Sequence, residues 1–165
     1  MPTPERLLIL DACVLIDFCK EDPTLLGLAT AYLGSIIVLS PILVEVDQLD
    51  DAEVERLGLV VVEPEIDLVI EASARRGGLS YRDRMCLLFS RDNKAVLYTN
   101  DKALLKAARS DGIEARWGLE ILLDLVVVGQ LTPSDATSTA QSICNRSPFP
   151  SDALMAEFKR RLRHL

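Results

Sequence analysis

The sequence predicts an α/β fold of three layers, α/β/α. A mainly parallel sheet of four to five strands lies between helices, with further helices at the C-terminus. Three observations carry this reading. Short runs of Val, Ile and Leu alternate with longer amphipathic stretches, which is the βαβα order of a parallel sheet with helices on its faces. The runs are apolar throughout, as strands covered on both faces are, and do not alternate apolar with polar. The breakers Gly34, Gly58, Gly77-Gly78 and Gly112 all fall between segments.

The elements follow in order. Strand 6–10 stops at Asp11, and helix 12–20 begins behind it. Pro23 opens helix 24–33, because a missing N–H costs nothing in a first turn. Strand 36–39 leads to Pro41, which opens a helix over 41–49. Strand 59–63 and helix 65–76 come next, then the glycine pair. Ser80 starts helix 81–92, and strand 95–99 runs up to Asp101 and helix 102–110. A short strand at 113–116 and helix 118–128 complete a main domain of residues 1–131. Thr132-Pro133-Ser134-Asp135 is a helix start: a cap, a proline at the first position and an acid in the first turn. Another helix begins near Pro150-Ser151-Asp152 and ends in Lys159-Arg160-Arg161-Leu162-Arg163. Its Leu154, Phe158 and Leu162 would pack on the main domain, so 132–165 reads as a helical extension and not as a second domain.

Composition narrows the classes. A length of 165 residues suits one domain, and 49% apolar residues with only 8 Gly and 8 Pro exclude a disordered chain. No segment reaches the roughly 20 apolar residues that span a bilayer; the most apolar stretch, 119–128, is broken by Glu120 and Asp124. Only Arg6 precedes the first apolar run, and Asp11 ends that run, so no signal peptide is expected and a cytoplasmic location is. Cys13, Cys19, Cys86 and Cys144 form no C-x-x-C pair; three have apolar neighbours and read as small buried hydrophobes in a reducing compartment. The one histidine, His164, is next to last, which argues against zinc.

The net charge of −7 argues against a polyanionic partner, yet the charge is unevenly spread. Residues 1–71 hold 15 acids against 3 bases. Residues 75–109 hold 9 bases against 3 acids, around two carboxylates of interest. A basic strip beside an acidic pocket suits a polyanion held in place for attack.

Those carboxylates belong to a set of four: Asp11, Glu45, Asp83 and Asp101. Asp11 and Asp101 follow strand ends, and in open parallel sheets the crevice at the carboxyl ends of strands gathers ligands. On a helix from Pro41, Ile42, Val46 and Leu49 share a face and Glu45 borders it. Asp83 stands three residues after Ser80, in the outline of a capping box. Each acid taken alone reads equally well as a helix cap or a solvated side chain. Together, clustered carboxylates repel unless a divalent cation neutralises them, which makes a metal site and phosphodiester hydrolysis the leading hypothesis.

The motifs resemble those of PIN domains. Leu10-Asp11-Ala12-Cys13-Val14-Leu15-Ile16-Asp17 is similar to the family's opening strand and helix. Pro41-Ile42-Leu43-Val44-Glu45 resembles its glutamate helix, Leu79-Ser80-Tyr81-Arg82-Asp83 its serine-then-aspartate helix, and Leu97-Tyr98-Thr99-Asn100-Asp101-Lys102-Ala103-Leu104 its fourth motif. Order and spacing agree from residue 6 to about 128, and the nearest branch is the bacterial VapC-like toxins. The resemblance implies an Mg²⁺- or Mn²⁺-dependent ribonuclease that cuts single-stranded RNA and is paired with an antitoxin. Asp11, Asp101 and Asp83 would be metal ligands, Glu45 would act through a water, and Ser80 and Thr99 would orient them. Arg82, Arg84 and Lys102 would hold RNA, and a homodimer is implied, with helices 24–33 and 41–49 able to supply its interface. Cys13 departs from the small polar residue common there. Asp17 also matches the family but points off the crevice along its helix. The competing reading is a catalytically silent docking or nucleic-acid-binding subunit. A phosphotransfer receiver or an Asp-x-Asp phosphatase fits poorly, because Ala12 and Cys13 stand where second acids belong.

Overall fold

The structure, a computed structural model, describes residues 6–74, 77–146 and 152–165. Leu7–Leu10 form β1, all apolar and almost wholly buried, and pair in parallel with strands on both sides. Along the chain come α1 (Ala12–Glu21), α2 (Thr24–Tyr32), β2 (Ser35–Leu39), α3 (Ser40–Leu43), α4 (Asp51–Leu57), β3 (Val60–Val62), α5 (Ile66–Ala74), α6 (Tyr81–Asn93), β4 (Val96–Thr99), α7 (Lys102–Ser110), β5 (Ala115–Trp117), α8 (Glu120–Val127), α9 (Pro133–Arg146) and α10 (Asp152–Leu162). The five strands make one all-parallel sheet in the order β3-β2-β1-β4-β5.

That order fixes where a site can form. The chain builds outward from β1 through β2 to β3, then returns to the far side of β1 to lay down β4 and β5. Loops leaving β1 and β4 therefore diverge, and a crevice opens between their carboxyl ends. Leu10 is in register with Tyr98, and the Asp11 N–H donates to the Tyr98 carbonyl (3.2 Å), so Asp11 and Thr99 lie side by side at the mouth.

The core runs through both faces of the sheet, with Leu8, Leu10, Val14, Leu26, Ile36, Leu39, Met85 and Leu122 fully buried. α9 packs on α1 and α8, and α10 on α8 and α9. Ala136, Ala140, Ile143, Met155 and Phe158 are buried there. Arg146 ties α9 to Glu21 of α1 (2.6 Å), and Arg161 ties α10 to Glu120 of α8. No described helix is long and apolar enough to cross a membrane.

Most elements fall within two residues of the sequence reading. The helix expected over 41–49 is the exception. α3 is one turn ending at Leu43, Val44 and Glu45 lie in the turn that follows, and a separate α4 begins at Asp51. Ile42, Val46 and Leu49 do reach the core, but through an irregular path, so their spacing imitated a helix. Asp50 caps α4 by accepting from Glu53 N–H (2.8 Å), and Gly58 closes it in the left-handed conformation (φ 73°). These start and stop signals were present in the sequence. Of the Leu, Ile and Val in 24–33 and 41–49, Leu25, Leu26, Ile42, Val46 and Leu49 are buried in this chain's own core, while Val44 is exposed. Of the cysteines only Cys86 is fully buried; Cys13 is exposed, because it follows the cap residue on the outer side of the first turn of α1. The end of the expected helix 65–76, with Arg75 and Arg76, and the helix start expected at Pro150-Ser151 lie outside the described residues.

Candidate functional site

Asp11 is the most constrained carboxylate. It ends β1 with extended backbone and caps α1: Oδ1 accepts from the Val14 N–H (3.0 Å), and Oδ2 accepts from the Thr99 hydroxyl. It is 5% exposed. Thr99, fully buried, also accepts from the Asp101 N–H (3.0 Å). One hydroxyl thus joins both strand ends, donating to one acid and accepting from the backbone of the next. Asp101 in turn caps α7, its Oδ1 accepting from Ala103 N–H (2.8 Å) and Leu104 N–H (3.0 Å). Asn100, the rival cap, bridges elsewhere: Nδ2 donates to Asp17 (2.9 Å) and Oδ1 accepts from Gly118 N–H (3.2 Å). A Cβ at Gly118 would come within 2.9 Å of both Asn100 and Val14, so only glycine lets the β5–α8 loop close over this end of the sheet.

Asp83 approaches from α6. Ser80 caps that helix by accepting from the Asp83 N–H (3.1 Å), and Asp83 is half-buried in its first turn. The acids act on one another through their charges. Desolvation by burial pushes Asp11 up to about 6; the Thr99 and Val14 hydrogen bonds oppose this, and the charges of Asp83 and Asp101 add to it. Burial likewise raises Asp83, with the negative fields of Asp101 and Glu45 acting in the same direction. Cys13, on the rim, has its thiol pushed up to about 11 by desolvation and then by Asp11, Asp17, Asp83 and Asp101. Cys86 is fully buried: burial raises it far, and the charges of Asp11, Asp83 and Glu45 add to this. Asp83 and Asp101 therefore act on Asp11, and Asp101 and Glu45 act on Asp83, through their charges.

The remaining candidates are placed differently from one another. Glu45 is exposed and held by Arg82 (3.0 Å), which also donates to the Pro41 carbonyl (3.3 Å). An acid and a base expected to act separately neutralise each other, in an exposed pair worth under about 1 kcal/mol. Arg84 turns inward and donates to the carbonyls of Ala72 (2.6 Å) and Leu79 (2.5 Å), so its guanidinium closes the α5–α6 connection. Lys102 is exposed, with no ion-pair partner among the described residues. Asp17 is raised by burial, and Arg146, Asn100 and Lys20 counter this; none of the four acids is among the charges acting on it. Asn100, which joins Asp17 to Gly118, had no signal in the sequence beyond its place in the fourth motif.

The three acids offer only carboxylate oxygens, the chemistry of a hard cation; Asp101 Oδ1 is already taken by two N–H donors, so Asp101 would bind through Oδ2. Asp11 and Asp83 are desolvated and repelled by neighbouring acids, a setting that a bound cation would relieve. Among the described residues no three His, Cys, Asp or Glu side chains stand together so as to hold a metal ion.

No protein-family model matches the chain, and no curated protein does. Among solved structures, it is similar to a PilT N-terminus domain protein from the hyperthermophilic archaeon Sulfolobus solfataricus P2. The TM-score is 0.52 at 14% sequence identity, over 72% of this chain and 92% of that one. The likeness is one of fold: an all-parallel five-stranded sheet between helices, extended by C-terminal helices, in the PIN-like arrangement.

Proposed function

We infer that the protein is a metal-dependent endoribonuclease acting on single-stranded RNA. What supports this reading is Asp11, buried where the central strand β1 ends and raised first by that burial, with the charges of Asp83 and Asp101 adding to the shift. Asp11, Asp101 and Asp83 would hold the cation, and Glu45 would border it. Bound there, Mg²⁺ or Mn²⁺ neutralises phosphate charge and acidifies water, chemistry that needs no histidine base. The chain supplies the geometry. Thr99 fixes the rotamer of Asp11 and the backbone of Asp101, and Ser80 sets the first turn that carries Asp83. Arg82 restrains Glu45 at the rim. The resemblance of the four motifs to VapC-like toxins supports a finer reading: a cytoplasmic toxin of a type II toxin–antitoxin pair, homodimeric, with a basic antitoxin segment covering the acids.

That no three such side chains stand together among the described residues favours a second reading, a PIN-like docking subunit without catalysis. Incubating purified protein with mixed single-stranded RNA in Mn²⁺, Mg²⁺ or EDTA separates the two. Nuclease action predicts cutting in metal only, lost by more than about 100-fold in Asp11→Asn and in Asp101→Asn, beyond the roughly 10–100-fold cost of losing a group that orients a ligand. Absence of cutting in either metal, with no metal-induced rise in melting temperature, would leave the docking subunit.

A further inference from the structure

We propose that the groove between α7 and the β5 edge of the sheet is the track for a single-stranded nucleic acid, with Lys102, Lys106 and Arg109 on its phosphates and Trp117 under an unpaired base. This deepens the nuclease reading and rests on it for the strand's approach to Asp101.

α7 shows why. Its buried face is Leu104, Leu105 and Ala108, and no acid lies between Lys102 and Ser110. Lys102, Lys106 and Arg109 are exposed and spaced by four and three residues, which stacks them in one stripe along the helix. Seven residues at about 1.5 Å each make that stripe roughly 10 Å long. It begins one residue after Asp101, so a strand lying on it reaches the acidic crevice directly. In a chain of net charge −7, such a stripe is complementary to a polyanion.

The stripe borders a groove of about 480 Å³, lined by Lys102, Leu105, Lys106, Arg109, Ser110 and Trp117. No carboxylate is in that lining. Arg109 is set in advance: Nε and a terminal nitrogen both donate to the Ala115 carbonyl (3.2 and 3.1 Å), which holds the guanidinium against the β5 edge with N–H donors left over. Trp117 and Arg109 also line the adjoining cavity of about 170 Å³ beneath α10, where Glu120 is paired with Arg161 and Glu157 with Arg160. The basic groove ends at Trp117, where α10 and its paired charges take over. An aromatic ring at the end of a basic groove selects unpaired bases, since only a base freed from its duplex can stack on a side chain.

Trp117 is the only tryptophan, so intrinsic fluorescence reports on it alone. The experiment titrates wild type in EDTA with oligouridylate of 12 residues. It reads tryptophan quenching, and it reads anisotropy of a fluorescein-labelled copy across salt. Three phosphate contacts predict a log–log salt slope of about −2, falling to about −0.7 in Lys102→Ala/Lys106→Ala. Trp117→Leu should weaken binding about tenfold, while Trp117→Phe, which keeps an aromatic face, should bind nearly as wild type. Circular dichroism establishes that each variant is folded. Binding without quenching, an unchanged salt slope in the double variant, or equal affinity for a 12-base-pair duplex would each overturn the track. The nuclease reading fails separately. Quenching and salt dependence as expected, with no cleavage in Mn²⁺ or Mg²⁺, keep the track and remove the enzyme. Cleavage by a double variant whose binding matches wild type does the reverse.

Discussion

Asp11 and Asp50 occupy the same local position in two parts of the molecule, and only one of them is in the candidate site. Both are helix N-caps with extended backbone, and both accept from the N–H three residues on, at 3.0 and 2.8 Å. Asp50 is exposed at the start of α4, and its work ends with that hydrogen bond. Asp11 is buried at the centre of the sheet, and its second oxygen takes the Thr99 hydroxyl from the neighbouring strand. A capping role therefore says nothing about a catalytic one. What separates the two residues is desolvation, a second partner from a distant segment, and other carboxylates close enough to raise the pKa.

The largest expected effect follows from the charge of Asp11. Its folded pKa, about 6, lies above the ordinary 3.8. Between these values the folded state holds a proton that the unfolded state has released, so stability falls as pH rises through this window. Two pKa units correspond to a loss on the order of 3 kcal/mol, complete above about pH 6. Urea midpoints measured in EDTA from pH 4 to 7 should show that fall in wild type and in Asp50→Asn. Asp11→Asn should lack its share. An identical pH slope in Asp11→Asn and wild type would erase the distinction between the two caps.

Thr99→Val comes next. It removes the donor to Asp11 and the acceptor for the Asp101 N–H while keeping shape, at a cost of about 2 kcal/mol for buried groups left unpaired. Because the Thr99 hydrogen bond lowers the Asp11 pKa, its loss should move that titration higher still, which carbon-13 NMR of the carboxyl would follow. Cleavage should drop by roughly 10–100-fold. Unchanged titration and unchanged cleavage would mean that the hydroxyl bridge is incidental. The smallest effect belongs to Asp50→Ala, which should cost about 1 kcal/mol of stability as an ordinary cap loss and leave cleavage intact. A tenfold fall in cleavage there would show that α4 supports the site in a way its exposure does not suggest.

The fold was legible because buried parallel strands leave dense apolar runs and because glycines mark the breaks between them. The positions of Asp11, Asp83 and Asp101 at strand ends or helix starts were legible for the same reason. The path of 41–49 was not. Ile42, Val46 and Leu49 bury at helical spacing along a chain that is no helix after Leu43, and periodicity cannot distinguish these cases. The roles of the arginines were also hidden. Nothing local to Arg84 says that two backbone carbonyls will take its guanidinium, or that Arg82 will reach Glu45 across 37 positions. Such pairings depend on where loops end in space, and sequence patterns carry periodicity and not destination.

The hydrogen bond from Thr99 to Asp11 joins residues 88 positions apart. Its two ends meet only when β4 docks against β1, after β2 and β3 have been laid down on the other side. Parallel pairing of this kind closes a long loop before any contact rewards it, which makes it a late and slow event in folding. During synthesis, a nascent chain from which residue 99 has not yet emerged holds Asp11 at the end of a β1 that can pair with β2 alone, with neither Thr99 nor Asp101 beside it. The set of Asp11, Asp83 and Asp101 is therefore incomplete until more than half of the polypeptide has emerged.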